Sequence, residues 1–282
     1  PGPRHQVEHR GPGHQVRVDA DHARPGVQAG VQVLAPGEGG VEDLHAEALP
    51  PQVPPGVRGE RGRQLRQAVA GDPALLDARI NLGSLLQEAG RLEEALAEIE
   101  RLAQAHDKVR AVGETGLDRF RHAQSRTGDA GWAAQEESFR RHIDLAKRLD
   151  KTLVIHDRDA HDDVLRVLED AGPPDRVVFH CFSGDRAMAE HCVRRGWWLS
   201  FAGTVTFKNA TGLREALAAV PPDRVLVETD APYLTPMPYR GRPNASYLVP
   251  HTVRAMAEVL AVGEDDLCTA IAANTEAAFG AW

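Results

Sequence analysis

KTLVIHDRDAHDDVLRVLEDAGPPDRVVFH, residues 151–180, reads as a strand, a helix and a second strand. Thr152 to His156 and Arg176 to His180 are short apolar runs that each close on a histidine. Between them, from about Ala160 to Ala171, apolar residues recur at helical spacing. Strands with no polar interruption are usually buried on both faces, as in a parallel α/β sheet. Two more runs have the same form, one ending at Glu114 and one running from Arg224 through Glu228 to Asp230. Polar residues at the carboxyl ends of parallel strands gather on one rim, where α/β barrels carry their active sites.

Outward from this unit the alternation continues. The spacing predicts helices over about Leu92–Leu102, Ala133–Leu149, Asp185–Arg195, Leu213–Ala219, Pro250–Ala261 and Glu264–Phe279, with a fifth strand over Trp197–Phe201. Strand alternating with helix is the signature of right-handed βαβ units. The predicted fold class is α/β, a TIM-barrel-like (β/α) architecture. Five strands are legible and a closed barrel of this type needs eight, so the barrel is expected to be incomplete, with its first three strands missing or scrambled.

The chain has 282 residues, room for one large barrel or two ordinary domains. Its net charge of −8 provides no global field for nucleic acid, so phosphate binding must rest on local cations or metals. Cys181, Cys192 and Cys268 form an odd set without Cys-x-x-Cys spacing, which favours a reducing cytoplasm over a disulfide framework. No apolar stretch reaches membrane-spanning length and no signal-peptide core is visible, so a cytoplasmic location is expected.

Residues 1–79 stand apart. They use ten residue types, Pro, Gly, Arg, His, Gln, Val, Glu, Asp, Ala and Leu; the first Ile is Ile80, the first Lys is Lys108 and the first aromatic is Phe120. Those ten are the types whose codons begin with G or C. A GC-rich gene read in a shifted frame, or from the opposite strand, produces this alphabet. Two origins therefore fit residues 1–79: a mistranslated segment, or a Pro/Gly/Arg-rich disordered one without the bulk for a core. Residues 80–282 are read as the folded domain. At its start, Asn81 to Leu96 imitates a single tetratricopeptide repeat, but a solenoid needs about three to bury its faces.

The rim residues have a common chemistry. Glu114, His156, His180 and Asp230 offer two imidazoles and two carboxylates without a thiolate, a donor set suited to Mg²⁺, Mn²⁺ or Zn²⁺. Singly, a strand-end histidine is more often structural and an aspartate after a strand is often a helix cap. Four at equivalent positions resist that explanation. Strand alternation places Val112 with Glu114, Val154 with His156, and Glu228 with Asp230 on shared faces. Glu228 would then lie beneath Asp230, to orient a metal ligand or to pair with an arginine inside the barrel. Alternation turns Cys181 away from the site, as a buried structural thiol.

At this point a family resemblance becomes specific. Gly-Glu-Thr-Gly-Leu-Asp (113–118), Ile-His-Asp-Arg-Asp-Ala (155–160), His-Cys-Phe-Ser-Gly (180–184) and Glu-Thr-Asp-Ala-Pro-Tyr-Leu (228–234) resemble the TatD family, as do Gln135, Phe139 and residues 242–244, over about residues 91–282. The resemblance implies an amidohydrolase-like barrel and a metal-dependent deoxyribonuclease, often a 3′ to 5′ exonuclease. By that analogy Glu114 bridges two metal ions, and His156, His180 and Asp230 complete their coordination. The family opens on a strand ending Asp-x-His-x-His and has a later Gly-x-His-Pro. This chain has neither, so one of the two metal positions is expected to be crippled.

The expected reaction is phosphodiester hydrolysis by a metal-activated water, with Asp230 and Glu114 as catalytic residues. Arg158 and Arg242 are candidates to hold DNA phosphates, Lys208 and Arg240 could track the backbone, and Tyr233 and Phe207 could stack a base or pack against the sheet. The expected partner is DNA, single-stranded or at a 3′ end; no protein partner or membrane is evident. Two alternatives stay open: a metallohydrolase of the same superfamily acting on another ester, phosphoester or amide, and a non-catalytic degenerate barrel with a helical interaction segment. The frame-shift reading has a direct check. The DNA encoding residues 1–79, translated in its other frames, should contain Asp-x-His-x-His; if no frame does, that reading fails.

Overall fold

The structure, a computed structural model, describes residues 31–33, 67, 91–124 and 128–281. Apart from residues 31–33 and 67, the segment 1–79 lies outside the described residues, as does the repeat-like start at 81–90.

Among the described residues, six strands form one sheet in the order β1 (Val31–Val33), β2 (Val109–Asp118), β3 (Thr152–Arg158), β4 (Val177–Phe179), β5 (Trp198–Phe201) and β6 (Val225–Val227). From β2 to β6 each strand pairs in parallel with the next, which is the α/β arrangement predicted. The count of five is corrected by β1, which pairs antiparallel with β2. Its Val-Gln-Val run is too short to stand out from the low-complexity sequence around it. Helices α1 (Leu92–Ala105), α2 (Arg119–Gln124), α3 (Gly128–Leu149), α4 (His161–Ala171), α5 (Arg186–Arg194), α6 (Thr211–Leu217), α7 (Val249–Leu260) and α8 (Glu264–Phe279) occupy the connections and the C-terminal region.

Alternation along the strands builds two cores. Leu153, Ile155, Val177, Phe179, Leu199, Phe201 and Val225 face outward and bury against the helices. On the inner face, Ala111, Val154, Val178, Trp198 and Leu226 form an apolar floor with Ala278 of α8. The end of α8 is tied there by the Thr152 hydroxyl, which donates to the Ala278 carbonyl. Each buried aliphatic side chain contributes about 1.5–3 kcal/mol, so this floor is a firm base for whatever sits above it.

The strand ends differ from the sequence reading in one respect that matters. β2 continues four residues past Glu114 to Asp118, and its register against β3 shifts between Val112 and Thr115. Val112 pairs with Leu153 and Thr115 with Ile155, so β2 spends one extra residue there. A one-residue bulge exchanges the two faces of a strand. Val112 accordingly joins the outer core, while Glu114 meets the inner-face histidines. The predicted shared face of Val112 and Glu114 is therefore corrected. Beyond the bulge β2 passes so close to β3 that a Cβ on Gly116, whose φ is +148°, would overlap the His156 carbonyl oxygen.

Two outcomes follow for stability. Gly116→Ala should destabilise the fold by about 2–4 kcal/mol in urea unfolding, the scale of an overpacked, strained backbone position. His142 on α3 is fully buried, its Nδ1 2.7 Å from the Ser138 carbonyl, and burial pushes its pKa down to about 4. The folded chain keeps this imidazole neutral while the unfolded chain takes up a proton below about pH 6.5. Its contribution is complete above that pH and is lost as pH falls towards 4, at up to about 1.4 kcal/mol per pH unit. His142→Leu should flatten this acid limb of the stability curve.

Candidate metal centre

Directly above the apolar floor, polar side chains occupy the inner face. His156 follows Val154 on β3, His180 follows Val178 just past β4, Ser200 follows Trp198 on β5, and Glu228 follows Leu226 just past β6. Backbone pairing holds the two positions beyond their strands: His180 N–H donates to the Ile155 carbonyl (3.0 Å) and Glu228 N–H to the Phe201 carbonyl (3.1 Å).

Two of these groups, His156 and His180, converge with Glu114. Its carboxylate stands 3.2 Å from His156 Nδ1 and 3.0 Å from His180 Nε2, and ligand atoms of all three residues lie within 4.8 Å of one another. The two rings stack at 5.9 Å between centroids. The far nitrogen of each ring is held by another carboxylate: His180 Nδ1 lies 2.9 Å from Glu228 Oε1, and His156 Nε2 lies 3.3 Å from Asp118 Oδ2. Glu228 also accepts the Cys181 N–H (2.9 Å) and a hydrogen bond from Ser200. Asp118 accepts the Arg121 N–H (2.7 Å), and its own N–H donates to Gln135 Oε1 (2.8 Å). Carboxylates that fix the outer nitrogen of a histidine orient it as a metal ligand.

The charges respond to this crowding. Burial opposes charge on every group here, and the neighbours outweigh it. Glu228, Glu114 and Asp230 push the His180 pKa up to about 9. Asp118 and Glu114 raise that of His156. The hydrogen bonds from His156 and from the Arg121 N–H hold the Asp118 carboxyl below its usual range, and His180, Ser200 and the Cys181 N–H do the same for Glu228. Acidic groups thus surround two imidazoles whose inner nitrogens face one carboxylate. His180 Nε2 is buried and faces Glu114 outside hydrogen-bond geometry. A nitrogen, nitrogen and oxygen donor set of this kind fits a divalent cation.

The remaining sequence candidates are distributed around this cluster. Asp230 lies outside the tight three-residue group, in a turn with φ of +53°, near enough to raise the His180 pKa. Because β6 ends at Val227, strand alternation no longer governs Asp230, and the shared face read for Glu228 and Asp230 does not apply. Glu228 has His180 as its ion-pair partner, in place of an arginine. Arg158 ends β3 with its guanidinium 3.9 Å over the Phe120 ring, and Arg242 is exposed in the loop after β6. Cys181 is half-buried in a turn with φ of +45°, which corrects its reading as a buried thiol, again because the strand stops first. Sequence reasoning missed Asp118 and Ser200. The even spacing of residues 114, 116 and 118 could have found Asp118 had β2 been read to its true end.

The sequence profile described as TatD related DNase matches residues 66–280, taking in the last part of the segment set apart by composition. A Mycobacterium tuberculosis protein named as an uncharacterized metal-dependent hydrolase, TatD, is 47% identical over 221 residues, 78% of each chain. The Bacillus subtilis metal-dependent hydrolase YabD is 39% identical over 66% of this chain and 71% of its own. Among solved structures, the TatD homologue YJJV of Escherichia coli superimposes with a TM-score of 0.62 at 29% identity, covering 67% of this chain and 71% of that one. A TatD family hydrolase from Entamoeba histolytica, 19% identical with a TM-score of 0.56 over 71% of this chain and 72% of its own, shares the fold. With a profile match across most of its length and these relatives named as metal-dependent hydrolases, the chain belongs to the TatD family.

Proposed function

We propose that this chain is a metal-dependent hydrolase of phosphodiester bonds that removes nucleotides from the 3′ end of DNA. The observation that carries the reading is the Glu114, His156 and His180 cluster, with both imidazoles held from behind by Glu228 and Asp118. The family's description as a DNase supports DNA as the substrate. The three free cysteines suit a cytoplasmic setting.

Glu114, His156 and His180 would hold Mg²⁺, Mn²⁺ or Zn²⁺, and a cation there supplies Lewis acidity to a phosphoryl oxygen and to an attacking water. In the complete family site two such ions are expected. Among the described residues one three-ligand group is built, and Glu114, which touches both histidines, is the carboxylate positioned to be shared. Asp230 accepts the proton of the attacking water, its carboxylate being close to His180 yet outside the tight ligand group. Arg158 and Arg242 hold substrate phosphates on either side. Stacking on Phe120 pre-orders the Arg158 guanidinium.

With Mg²⁺ or Mn²⁺, a single-stranded oligonucleotide labelled at its 3′ end should release labelled mononucleotide first, while a 5′ label persists in long products. Chelation should abolish the reaction and Mn²⁺ restore it. Early release of the 5′ label, or indifference to chelation, would overturn the proposal. Asp230→Ala should lower turnover by roughly 10²–10⁴-fold, the usual contribution of a general base. Glu228→Gln keeps the shape but loses the charge behind His180. It should weaken Mn²⁺ binding about 10–100-fold in calorimetric titration.

A further inference from the structure

The chain has three tyrosines, and all three lie in the loop between β6 and α7: Tyr233, Tyr239 and Tyr247. They are 46%, 38% and 76% exposed, and with Phe120 they make up the exposed large hydrophobic side chains of the described residues. Tyrosines usually bury most of their rings. Placing every one on the surface of a single loop, directly after Asp230, calls for a reason.

Charge supplies the next clue. The chain carries a net −8, yet residues 231–248 contain Arg240 and Arg242 and no carboxylate. The neighbouring segment 202–214, after β5, contains Lys208 and Arg214 and again no carboxylate. Most arginines elsewhere are engaged by carboxylates, such as Arg166 with Glu136 and Asp163, and Arg195 with Glu169. Arg240 and Arg242 make no ion pair among the described residues.

The two loops are joined. Met237 N–H donates to Thr206 Oγ1 (2.8 Å), and the Arg240 guanidinium lies 4.2 Å over the Phe207 ring. Arg214 directs its guanidinium to the Val205 and Phe207 carbonyls, which supports the first loop from behind. Buried Asn244 closes the second loop through Nδ2, which donates to the Thr229 and Tyr233 carbonyls at 2.7 Å each. Tyr233 N–H donates to the Asp230 carbonyl (2.9 Å), so this surface begins at the catalytic aspartate itself.

We infer that the joined loops after β5 and β6 form a stacking platform for unpaired nucleotides of the DNA strand, with bases on Tyr233 and Tyr247 and phosphates on Lys208, Arg240 and Arg242. Aromatic faces interleaved with cations suit single-stranded nucleic acid, because every base has a π-face and every linkage a charge. Tyr239, packed edge-on against His251 at 5.1 Å, ties the loop to α7. This surface rests on the proposed DNA hydrolase and adds the binding step that delivers a 3′ end to Asp230.

The test separates binding from chemistry. A short single-stranded oligothymidylate with phosphorothioate linkages, which resist cleavage, is titrated in fluorescence anisotropy. A second oligonucleotide of the same length carries abasic spacers. Tyr247→Ala and Tyr233→Ala should each weaken binding of the first about tenfold and leave binding of the second unchanged. Tyr247→Phe should keep wild-type affinity. Arg240→Ala combined with Arg242→Ala should weaken both ligands and flatten the salt dependence. Wild-type affinity in both tyrosine-to-alanine variants, or equal losses on the abasic ligand, overturns the platform. If Tyr247→Ala instead turns a dimer into a monomer in sedimentation with oligonucleotide affinity intact, the surface belongs to a second copy of the chain and the inference fails. Tyrosine-dependent binding without any DNA hydrolysis would sink the hydrolase reading and spare the platform; hydrolysis without tyrosine-dependent binding would do the reverse.

Discussion

The single extra residue that β2 spends between Val112 and Thr115 governs the candidate metal centre. A strand of regular pleat would keep Glu114 on the face of Val112, which lies against the helices. The bulge turns Glu114 across the sheet to His156 and His180, and the same parity brings Asp118 behind His156 four residues later. The close approach of β2 to β3 at Gly116 fixes the register in which this happens. Two neighbouring strands thus supply the shared carboxylate, one imidazole and the support of that imidazole. β4 and β6 then add the second imidazole and its support.

Burial and charge act against each other at this centre, and His180 shows which prevails. Burial alone would lower its pKa, yet the carboxylates around it raise it to about 9. A divalent cation answers the same anionic field with two charges and needs no proton on either ring. On the proposed function, a cation held there would displace the protons that the raised pKa values of His156 and His180 favour, as metal ligands generally release protons on binding. The apolar floor beneath keeps water away from this field on one side and leaves it open towards the rim.

Much of this was legible in the sequence because strands and helices carry it in their periodicity. The βαβ alternation, the order of the parallel strands and the convergence of Glu114, His156 and His180 all follow from apolar runs that end on His or Glu. What escaped has physical reasons. A bulge leaves no mark in hydropathy, since Gly113 and Gly116 suit a turn as well as a crowded strand. Asp118 was hidden because β2 was read as ending at Glu114. Strand ends decided the two misread orientations as well: Cys181 and Asp230 follow the last pleated residue, and both adopt positive φ, where alternation has no meaning. β1 could not be read from three residues inside a compositionally biased segment.

Division of labour around the rim follows from the same topology. The first turn of α2 and the end of β3 carry Phe120 and Arg158 beside the Asp118 and His156 pair. The loops after β5 and β6 carry tyrosines and cations, and no carboxylate after Asp230. An acidic chain cannot attract a polyanion by its overall field, so for the proposed DNA substrate the approach would be local, within about a Debye length of 8–10 Å. Concentrating unneutralised arginines on loops that are braced by Asn244 and Arg214 achieves that without weakening the anionic field at the cation site. On the proposed function, the negative centre and the basic rim are two halves of one electrostatic design: the centre would hold a cation, and the rim would hold the phosphates whose hydrolysis that cation assists.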